Sequence, residues 1–405
     1  MMQGLLLVVF VNFVGVGALI PVLPYAVIDE AGASETVMTL LLASFALAMM
    51  VGSPILGRLS DYFGRRRVLL GSILFSVIGH VWFAMTTDIT MMFFARILAG
   101  LASGSIGVIQ AIITDTTAPE QRARAMGLLG AFVGFGFVSG PAIGGLLSGY
   151  GEAVHTAPFL LAGALALTGF VIAIFFVPES KGDTPPRQLS WIRRFVLLRM
   201  SGLLMFALAV FLLNLAFAQI EASFTLVLKD VMEYSSRQTG YVFTWVGVII
   251  IVVQGILIGP ITRRLTELGT SVAGAFLLVV GQVMTVVMVG YFLGFFEPSF
   301  WPMIICTTLV CTGFALANPT VTSAASQVIR KNEVGGIMGV IQGMGSLGQV
   351  LGLICSGPLY EIGGGMMTFG FGGLVSFLLL LVISNMIWYP RRRRHSRTAQ
   401  ASKSS

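Results

Sequence analysis

The segment Gly57-Arg58-Leu59-Ser60-Asp61-Tyr62-Phe63-Gly64-Arg65-Arg66-Arg67 is a short charged hairpin between two long apolar segments. Residues 37–56 and 68–85 each have close to the roughly 20 residues that an α-helix needs to cross a hydrocarbon core. Basic residues beside such segments mark one face of the membrane. The hairpin therefore predicts a polytopic membrane protein with this loop at one membrane face.

The composition of the whole chain fits a lipid environment. Of the 405 residues, 56% are hydrophobic and 10% are charged, and the mean hydropathy is +0.93. Lipid offers no partner for backbone N–H and C=O groups, and these apolar segments are too long for barrel strands. We therefore expect an all-α membrane protein with twelve transmembrane helices in two pseudo-repeated six-helix halves. The predicted helices cover residues 3–28, 36–57, 67–87, 89–114, 122–149, 155–177, 199–228, 238–260, 269–293, 299–328, 333–361 and 366–389.

An internal repeat divides the chain. Asn12 and Asn214 are separated by the same number of residues as Gly57 and Gly259. Duplicated halves suit alternating access, in which a site between the halves opens to each membrane face in turn. The alternative is coincidence, because the chain contains 49 glycines. The predicted parts are a first half at 1–177, a cytoplasmic linker at 178–198, a second half at 199–390 and a basic cytoplasmic tail at 391–405.

The basic residues predict the orientation in the membrane. Nearly all of them fall in loops on one side of the predicted bundle, which identifies that side as the cytoplasm and places both termini there. The chain is expected to be a multi-pass protein of the plasma membrane, of the bacterial inner-membrane type. This topology accounts for the net charge of +7, so we expect no nucleic-acid partner. The arginines at 391–394 either anchor the last helix or contact anionic lipid headgroups.

Four stretches together resemble the major facilitator superfamily, and within it the drug:proton antiporters, most closely the tetracycline efflux type. Residues 12–17 with the prolines that follow them resemble the first span of that group, and residues 57–67 resemble its inside-loop motif. Residues 96–100 resemble its fourth-span motif, and Gly136-x-x-x-Gly140-Pro141-x-x-Gly144-Gly145 resembles its antiporter motif. The resemblance implies the major facilitator fold.

The resemblance also implies a set of gating residues around the hairpin. These are Gly57, Asp61, Gly64, Arg65, Arg66 and Asp115. A carboxylate at position 61 suits the N-terminus of a facing helix, which the resemblance identifies as the eleventh span near Glu333. Tyr62 stands where the family usually has an arginine. The alternative for the arginine run is that it only sets the topology.

The glycines of the fifth span predict a close helix contact. Gly136, Gly140 and Gly144 recur every four residues and form one smooth stripe. Pro141 removes a backbone donor and bends the helix. A smooth, bent helix suits a sliding interface between the halves, and static close packing is the alternative.

Two ionisable residues are expected inside the membrane. Arg96 lies roughly 12 Å along its helix from Asp88, at 1.5 Å per residue, which is near the bilayer midplane. Glu221 is the one acidic residue placed well inside a span, on one helix face with Asn214 and Thr225. Both suit proton coupling, a role that the resemblance implies for Arg96. The alternatives are an arginine that snorkels to the headgroups and a neutral structural glutamate.

Polar and aromatic residues elsewhere in the spans are candidates for the substrate cavity. They are Asn12, Asn214, Gln254, Asn318, Gln342, Phe132 and Trp245. A sparse polar lining within apolar walls favours a small amphipathic substrate. The tetracycline exporters carry an aspartate where this chain has Asn12, so tetracycline itself does not follow. Ordinary packing is the alternative for each of these residues.

The predicted function is secondary active export of a small amphipathic molecule, drug-like or a metabolite, in exchange for protons. The alternatives are a facilitator or proton symporter of the same fold, and a lysolipid flippase. A membrane enzyme would need a cluster of His, Asp or Glu, whereas His80, His155 and His395 lie in different places. The three cysteines have no metal-site spacing, so we expect no metal and no cofactor. The fold needs only one chain, and a monomer is expected.

Overall fold

The computed structural model of this chain describes residues 2–148, 153–179, 203–292, 300–329 and 334–401. Within these ranges the regular structure is helical, and none of it is β-strand. The helices are α1 (Met2–Ala18), α2 (Glu35–Phe63), α3 (Arg65–Ala84), α4 (Ile89–Ser103), α5 (Ile106–Thr116), α6 (Pro119–Leu147), α7 (Thr156–Phe176), α8 (Leu204–Asp230), α9 (Ser236–Val252), α10 (Ile258–Phe292), α11 (Phe300–Val328) and α12 (Val334–Ala401). Two π-helical segments, Tyr25–Glu30 and Val253–Leu257, precede α2 and α10.

Side-chain caps and one glycine define several helix ends. The Ser34 hydroxyl accepts a hydrogen bond from the Val37 N–H, and the Asp88 carboxylate accepts one from the Met91 N–H at 2.9 Å. Each bond satisfies a backbone donor of a first helical turn. Gly64, between α2 and α3, has φ = 98°, a conformation that glycine adopts without steric cost. This glycine lets α3 begin directly after α2.

The helices account for the predicted membrane spans. Nine helical stretches of the described chain are long and apolar enough to cross a membrane. Two of them, 236–290 and 337–387, are 55 and 51 residues long, which is enough for two spans each, and the shorter apolar helix α1 precedes all nine. The two long stretches are interrupted by non-helical backbone at Thr266 and at Gly363 and Gly364, between the spans predicted there. The predicted all-α membrane fold is confirmed.

Several predicted spans are interrupted in the structure, the first and the fourth among them. The first, at 3–28, is α-helical only to Ala18 and continues through turns into the π-helical segment Tyr25–Glu30. Pro21 and Pro24 cause this change because a proline has no N–H to donate to the helix. The fourth, at 89–114, is divided into α4 and α5 at Gly104 and Ser105.

The described chain forms two compact units. Unit 1 comprises Met1–Arg187, Glu221–Ile251 and Leu353–Gly365. Within it, α1 packs against α6 and α7, α2 packs against α4, and α3 packs against α4 and α7. Unit 2 comprises Gln188–Ile220, Val252–Gly352 and Met366–Ser405. Within it, α10 packs against α11, and the Ser271 and Thr320 hydroxyls, both buried, are hydrogen-bonded at 2.7 Å.

Helices α2 and α4 of unit 1 meet backbone to backbone. A Cβ atom added to Gly52 would lie 2.6 Å from the Leu101 carbonyl oxygen, and one added to Gly104 would lie 2.5 Å from the Ser53 nitrogen. Small residues let membrane helices approach this closely, and van der Waals contact then holds them together. This packing fixes the position of α4, which carries Arg96.

We expect Gly52→Ala to destabilise the protein, because the added methyl group cannot fit unless α4 moves. Overpacking of this kind costs about 1–3 kcal/mol of unfolding free energy. The midpoint of thermal unfolding in detergent should therefore fall. Gly57→Ala is the matched control on the same helix, because a Cβ there has no atom within 4 Å. Equal midpoints for Gly52→Ala and the unsubstituted protein would contradict this packing.

Candidate functional site: charged groups inside the bundle and at its two ends

Arg65 connects the two carboxylates that were predicted to gate. Its Nη1 lies 2.6 Å from Asp61 Oδ1, and its Nε lies 3.1 Å from Asp115 Oδ2. The same guanidinium donates to the Ser60 hydroxyl at 2.9 Å, and Arg65 is only 9% exposed. We call this part of the molecule the arginine-rich end. The link from the hairpin to Asp115 thus forms through Arg65, although Tyr62 replaces the arginine of the family motif.

Glu179 completes the arginine-rich end and was not predicted. Its Oε1 accepts a hydrogen bond from the Arg66 N–H at 3.2 Å, in the first turn of α3, and its Oε2 lies 3.9 Å from Arg67 Nε. A carboxylate at this position interacts favourably with the positive end of the helix dipole. Arg66 also donates to the Ile174 carbonyl at the end of α7. The predicted partner near Glu333, and the linker from residue 180 onward, lie outside the described residues.

The glycine stripe of α6 packs against α1. A Cβ atom on Gly140 would lie 2.6 Å from the Val14 carbonyl oxygen, and the Gly136 and Gly144 backbones meet Phe13 and Ala18 at similarly short range. The contact with α9 is made instead by the neighbouring Gly145, whose added Cβ would lie 2.6 Å from the Gly240 Cα. The three predicted glycines therefore pack within the first half of the sequence, and sliding along the second half stays a prediction.

Arg96 is buried inside unit 1. It is 5% exposed, so its guanidinium does not reach the surface as a snorkelling arginine would. Its Cζ lies 4.3 Å from the centre of the Phe45 ring, and it interacts electrostatically with Glu221 of α8. Glu221 is half-buried and belongs to the same unit. The structure therefore brings the two predicted proton-coupling residues together.

His80 is a further buried polar group that the sequence did not single out. It lies on α3, is 1% exposed and has its ring 6.4 Å from that of Phe159. Neither ring nitrogen has a hydrogen-bond partner among the described residues. His80 interacts electrostatically with Arg96. His80 and Arg96 are brought together only by the tertiary packing of α3, and no sequence motif indicates that packing.

The predicted substrate-binding residues are divided between the two units. Asn12, Phe132 and Trp245 belong to unit 1, and Asn214, Gln254, Asn318 and Gln342 belong to unit 2. The Asn12 side-chain oxygen is buried and has no hydrogen-bond partner among the described residues. The Asn214 amide donates to the Val210 carbonyl at 2.8 Å, and the Phe132 ring contacts that of Phe10. A common cavity for these residues stays a prediction.

A polar cluster joins both halves of the sequence at the other end of unit 1, which we call the opposite end. The Lys229 ammonium lies 2.9 Å from Asp29 Oδ1 and 3.3 Å from Asp230 Oδ1. The Tyr25 hydroxyl donates to the Tyr234 carbonyl at 2.5 Å. The Tyr360 hydroxyl donates to Asp230 Oδ2 at 2.9 Å. These contacts tie the π-helical segment Tyr25–Glu30 to residues at the end of the seventh span, and Tyr360 ties that end to the eleventh span.

On its other side, the same π-helical segment is tied to α7. Glu30 Oε2 lies 2.7 Å from His155 Nδ1, and the Val154 N–H donates to Glu30 Oε1. His155 is 1% exposed, and its Nε2 lies 3.2 Å from the Thr86 carbonyl oxygen. The segment is therefore held from two directions through residues adjacent in sequence, Asp29 and Glu30.

The architecture is that of a membrane transporter, with long apolar helices, charged groups inside the bundle and polar clusters at two ends. A sequence model described as the Major Facilitator Superfamily matches residues 5–288 and 275–404. The chain belongs to this family, which confirms the resemblance in its motifs and makes the protein a multi-pass membrane transporter rather than an enzyme.

Individual relatives agree with this assignment. The chain is 28% identical over 367 residues to multidrug resistance protein 2 of Bacillus subtilis (strain 168), covering 87% of each chain. It is 29% identical over 360 residues to the class C tetracycline resistance protein of Escherichia coli, again covering 87% of each. The crystal structure of the human organic anion transporter MFSD10 matches with a TM-score of 0.71 and 19% identity, over 94% of this chain and 98% of that one. The last match shows a shared fold.

We expect Lys229→Gln to loosen the opposite end, because it removes the cation between Asp29 and Asp230. Partly exposed ion pairs contribute up to about 1 kcal/mol, so backbone hydrogen exchange of residues 25–30 in nanodiscs should accelerate by up to about fivefold. Arg237→Gln is the matched control, since Arg237 is an exposed cation at the same end with no ion pair among the described residues. Equal exchange in Lys229→Gln and the unsubstituted protein would contradict the role of the Lys229 contacts.

Proposed function

We propose that this chain is a secondary active exporter of small amphipathic, drug-like molecules, driven by proton entry through alternating access. The observation that carries the proposal is the interaction of half-buried Glu221 with buried Arg96 inside unit 1. The relatives named for multidrug and tetracycline resistance support a drug-like substrate. The basic loops support an orientation with both termini in the cytoplasm. We further propose that one chain carries out the whole cycle.

The pair supplies a physical basis for coupling. Ionised Glu221 balances the charge of Arg96, and protonation of Glu221 removes that balance without removing the arginine charge. A protonation event inside the bundle therefore changes the local charge by one unit. Protons and substrate are coupled if the two protonation states of Glu221 favour different conformations of the transporter or different occupancies of its substrate site.

The two ends supply candidate gates for such a cycle. At the arginine-rich end, Arg65 binds the carboxylates of Asp61 and Asp115. At the opposite end, Lys229 binds those of Asp29 and Asp230. In this proposal the polar contacts at each end hold that end closed and separate when it opens. The carboxylates that bind Lys229 are partly exposed, so water replaces the ion pairs at that end at small net cost when it opens.

We expect Glu221→Gln to abolish gradient-driven transport while leaving membrane insertion intact. Glutamine keeps the size of the side chain and a polar end but cannot exchange a proton. Uptake of a fluorescent amphipathic cation into everted vesicles should fall at least about tenfold, to the level seen after an uncoupler collapses the pH gradient.

The control is Glu233→Gln, at an exposed glutamate in the loop after α8. It should transport normally. Gradient-driven uptake that persists in Glu221→Gln would remove Glu221 from the coupling mechanism. If the uncoupler does not change uptake by the unsubstituted protein, the result would instead favour a facilitator of the same fold.

A further inference from the structure

The ring of Phe45 forms a stacking surface for the Arg96 guanidinium. Arg96 Cζ lies 4.3 Å from the ring centre, within the distance at which a cation is attracted to an aromatic face. Phe45 is 8% exposed and Arg96 is 5% exposed. Because water is largely excluded from both side chains, this attraction is stronger than at an exposed site.

Backbone contact between α2 and α4 places Phe45 beside Arg96. A Cβ atom on Gly100 would lie 2.5 Å from the Phe45 carbonyl oxygen and 3.0 Å from the Phe45 Cα, so α4 touches α2 at this residue. Arg96 and Gly100 are four residues apart and lie on the same face of α4. The close approaches at Gly52 and Gly104 continue this contact along both helices. The backbones that carry Phe45 and Arg96 are therefore in direct contact, so the two side chains start from neighbouring positions on α2 and α4.

Two of the three guanidinium nitrogens of Arg96 have no hydrogen-bond partner in the part of the chain that the structure describes. They are Nε and Nη1. A ring face attracts the charge of the guanidinium plane and does not occupy its N–H groups, whereas a carboxylate does both. Phe45 thus stabilises the arginine charge in a way that does not depend on the protonation state of any neighbour.

We propose that Phe45 is a positioning residue for proton coupling, whose ring face holds Arg96 in place as a cation while Glu221 is protonated. The inference rests on the proposed function of the Arg96 and Glu221 pair. When Glu221 is neutral, Arg96 loses its anionic partner inside the bundle, and the ring of Phe45 is the neighbour whose attraction remains. A leucine would fill similar space at position 45 but would offer no such attraction.

The test separates ring electrostatics from ring shape. Phenylalanine at position 45 is replaced by 4-fluoro-, 3,5-difluoro- and 3,4,5-trifluorophenylalanine, which keep nearly the same size and progressively weaken the negative face of the ring. We expect gradient-driven uptake to fall stepwise along the series, by about tenfold at its end and in Phe45→Leu. Phe45→Trp, whose ring binds cations best, should retain most of the uptake.

Phe369 provides the matched control. It is 1% exposed, and the described residues place no cation over its ring. The same fluorinated series at position 369 should leave uptake unchanged within about twofold. Equal uptake along the series at position 45, with Glu221→Gln still inactive, would overturn the role of Phe45 and leave the proposed function intact.

A failure of the proposed function gives a different result. If an uncoupler does not lower uptake by the unsubstituted protein, the proposed proton coupling is wrong, whichever residue is at position 45. The midpoint of thermal unfolding along the same series then tests the stacking by itself. A stepwise fall at position 45 and none at position 369 would support the contact, and flat midpoints at both positions would overturn it.

Discussion

The burial of one positive charge constrains the rest of this structure. An arginine in the middle of a membrane helix costs about 2.5–3.5 kcal/mol on insertion scales. Arg96 is buried all the same, and two neighbours from other helices interact favourably with its charge: the ring of Phe45 on α2 and the carboxylate of Glu221 on α8. Glycine contacts between α2 and α4 bring together the backbones that carry Arg96 and Phe45. The helix packing of unit 1 therefore determines which groups surround the charge of Arg96.

The same unit has polar contacts at two ends, and the contacts differ in kind. At the arginine-rich end a buried arginine lies between two carboxylates of the first half of the sequence. At the opposite end a lysine from α8 reaches an aspartate that precedes α2. The first arrangement stabilises one half of the sequence internally, whereas the second joins the two halves.

Much of the fold could be predicted because lipid imposes simple rules on sequence. The gaps predicted after residues 260 and 361 contain the backbone breaks at Thr266 and Gly364. The burial of Arg96 followed from its place within an apolar span, where the cost of a charge leaves few orientations. The interruption of the first span was also readable, because Pro21 and Pro24 cannot donate to a helix. The apolar character of residues 3–28 had nevertheless suggested one continuous span.

The partners of the charged residues could not be predicted in the same way. Helical periodicity shows which face of a helix a residue occupies, but not which other helix packs there. Phe45 and Glu179 therefore carried no signal, although one stacks on Arg96 and the other binds the first turn of α3. The glycine stripe shows the same limit. Its spacing predicted close contact, and only the structure identifies α1 as the helix that it contacts.

Proton release on substrate binding tests the central claim most directly. Purified transporter in weakly buffered detergent solution is mixed with a saturating amphipathic cation, and a pH indicator records the protons released. The account predicts release by the unsubstituted protein near the pH at which Glu221 is protonated, and none by Glu221→Gln. Equal release by both proteins would contradict it, because the exchanged proton would then belong to another group.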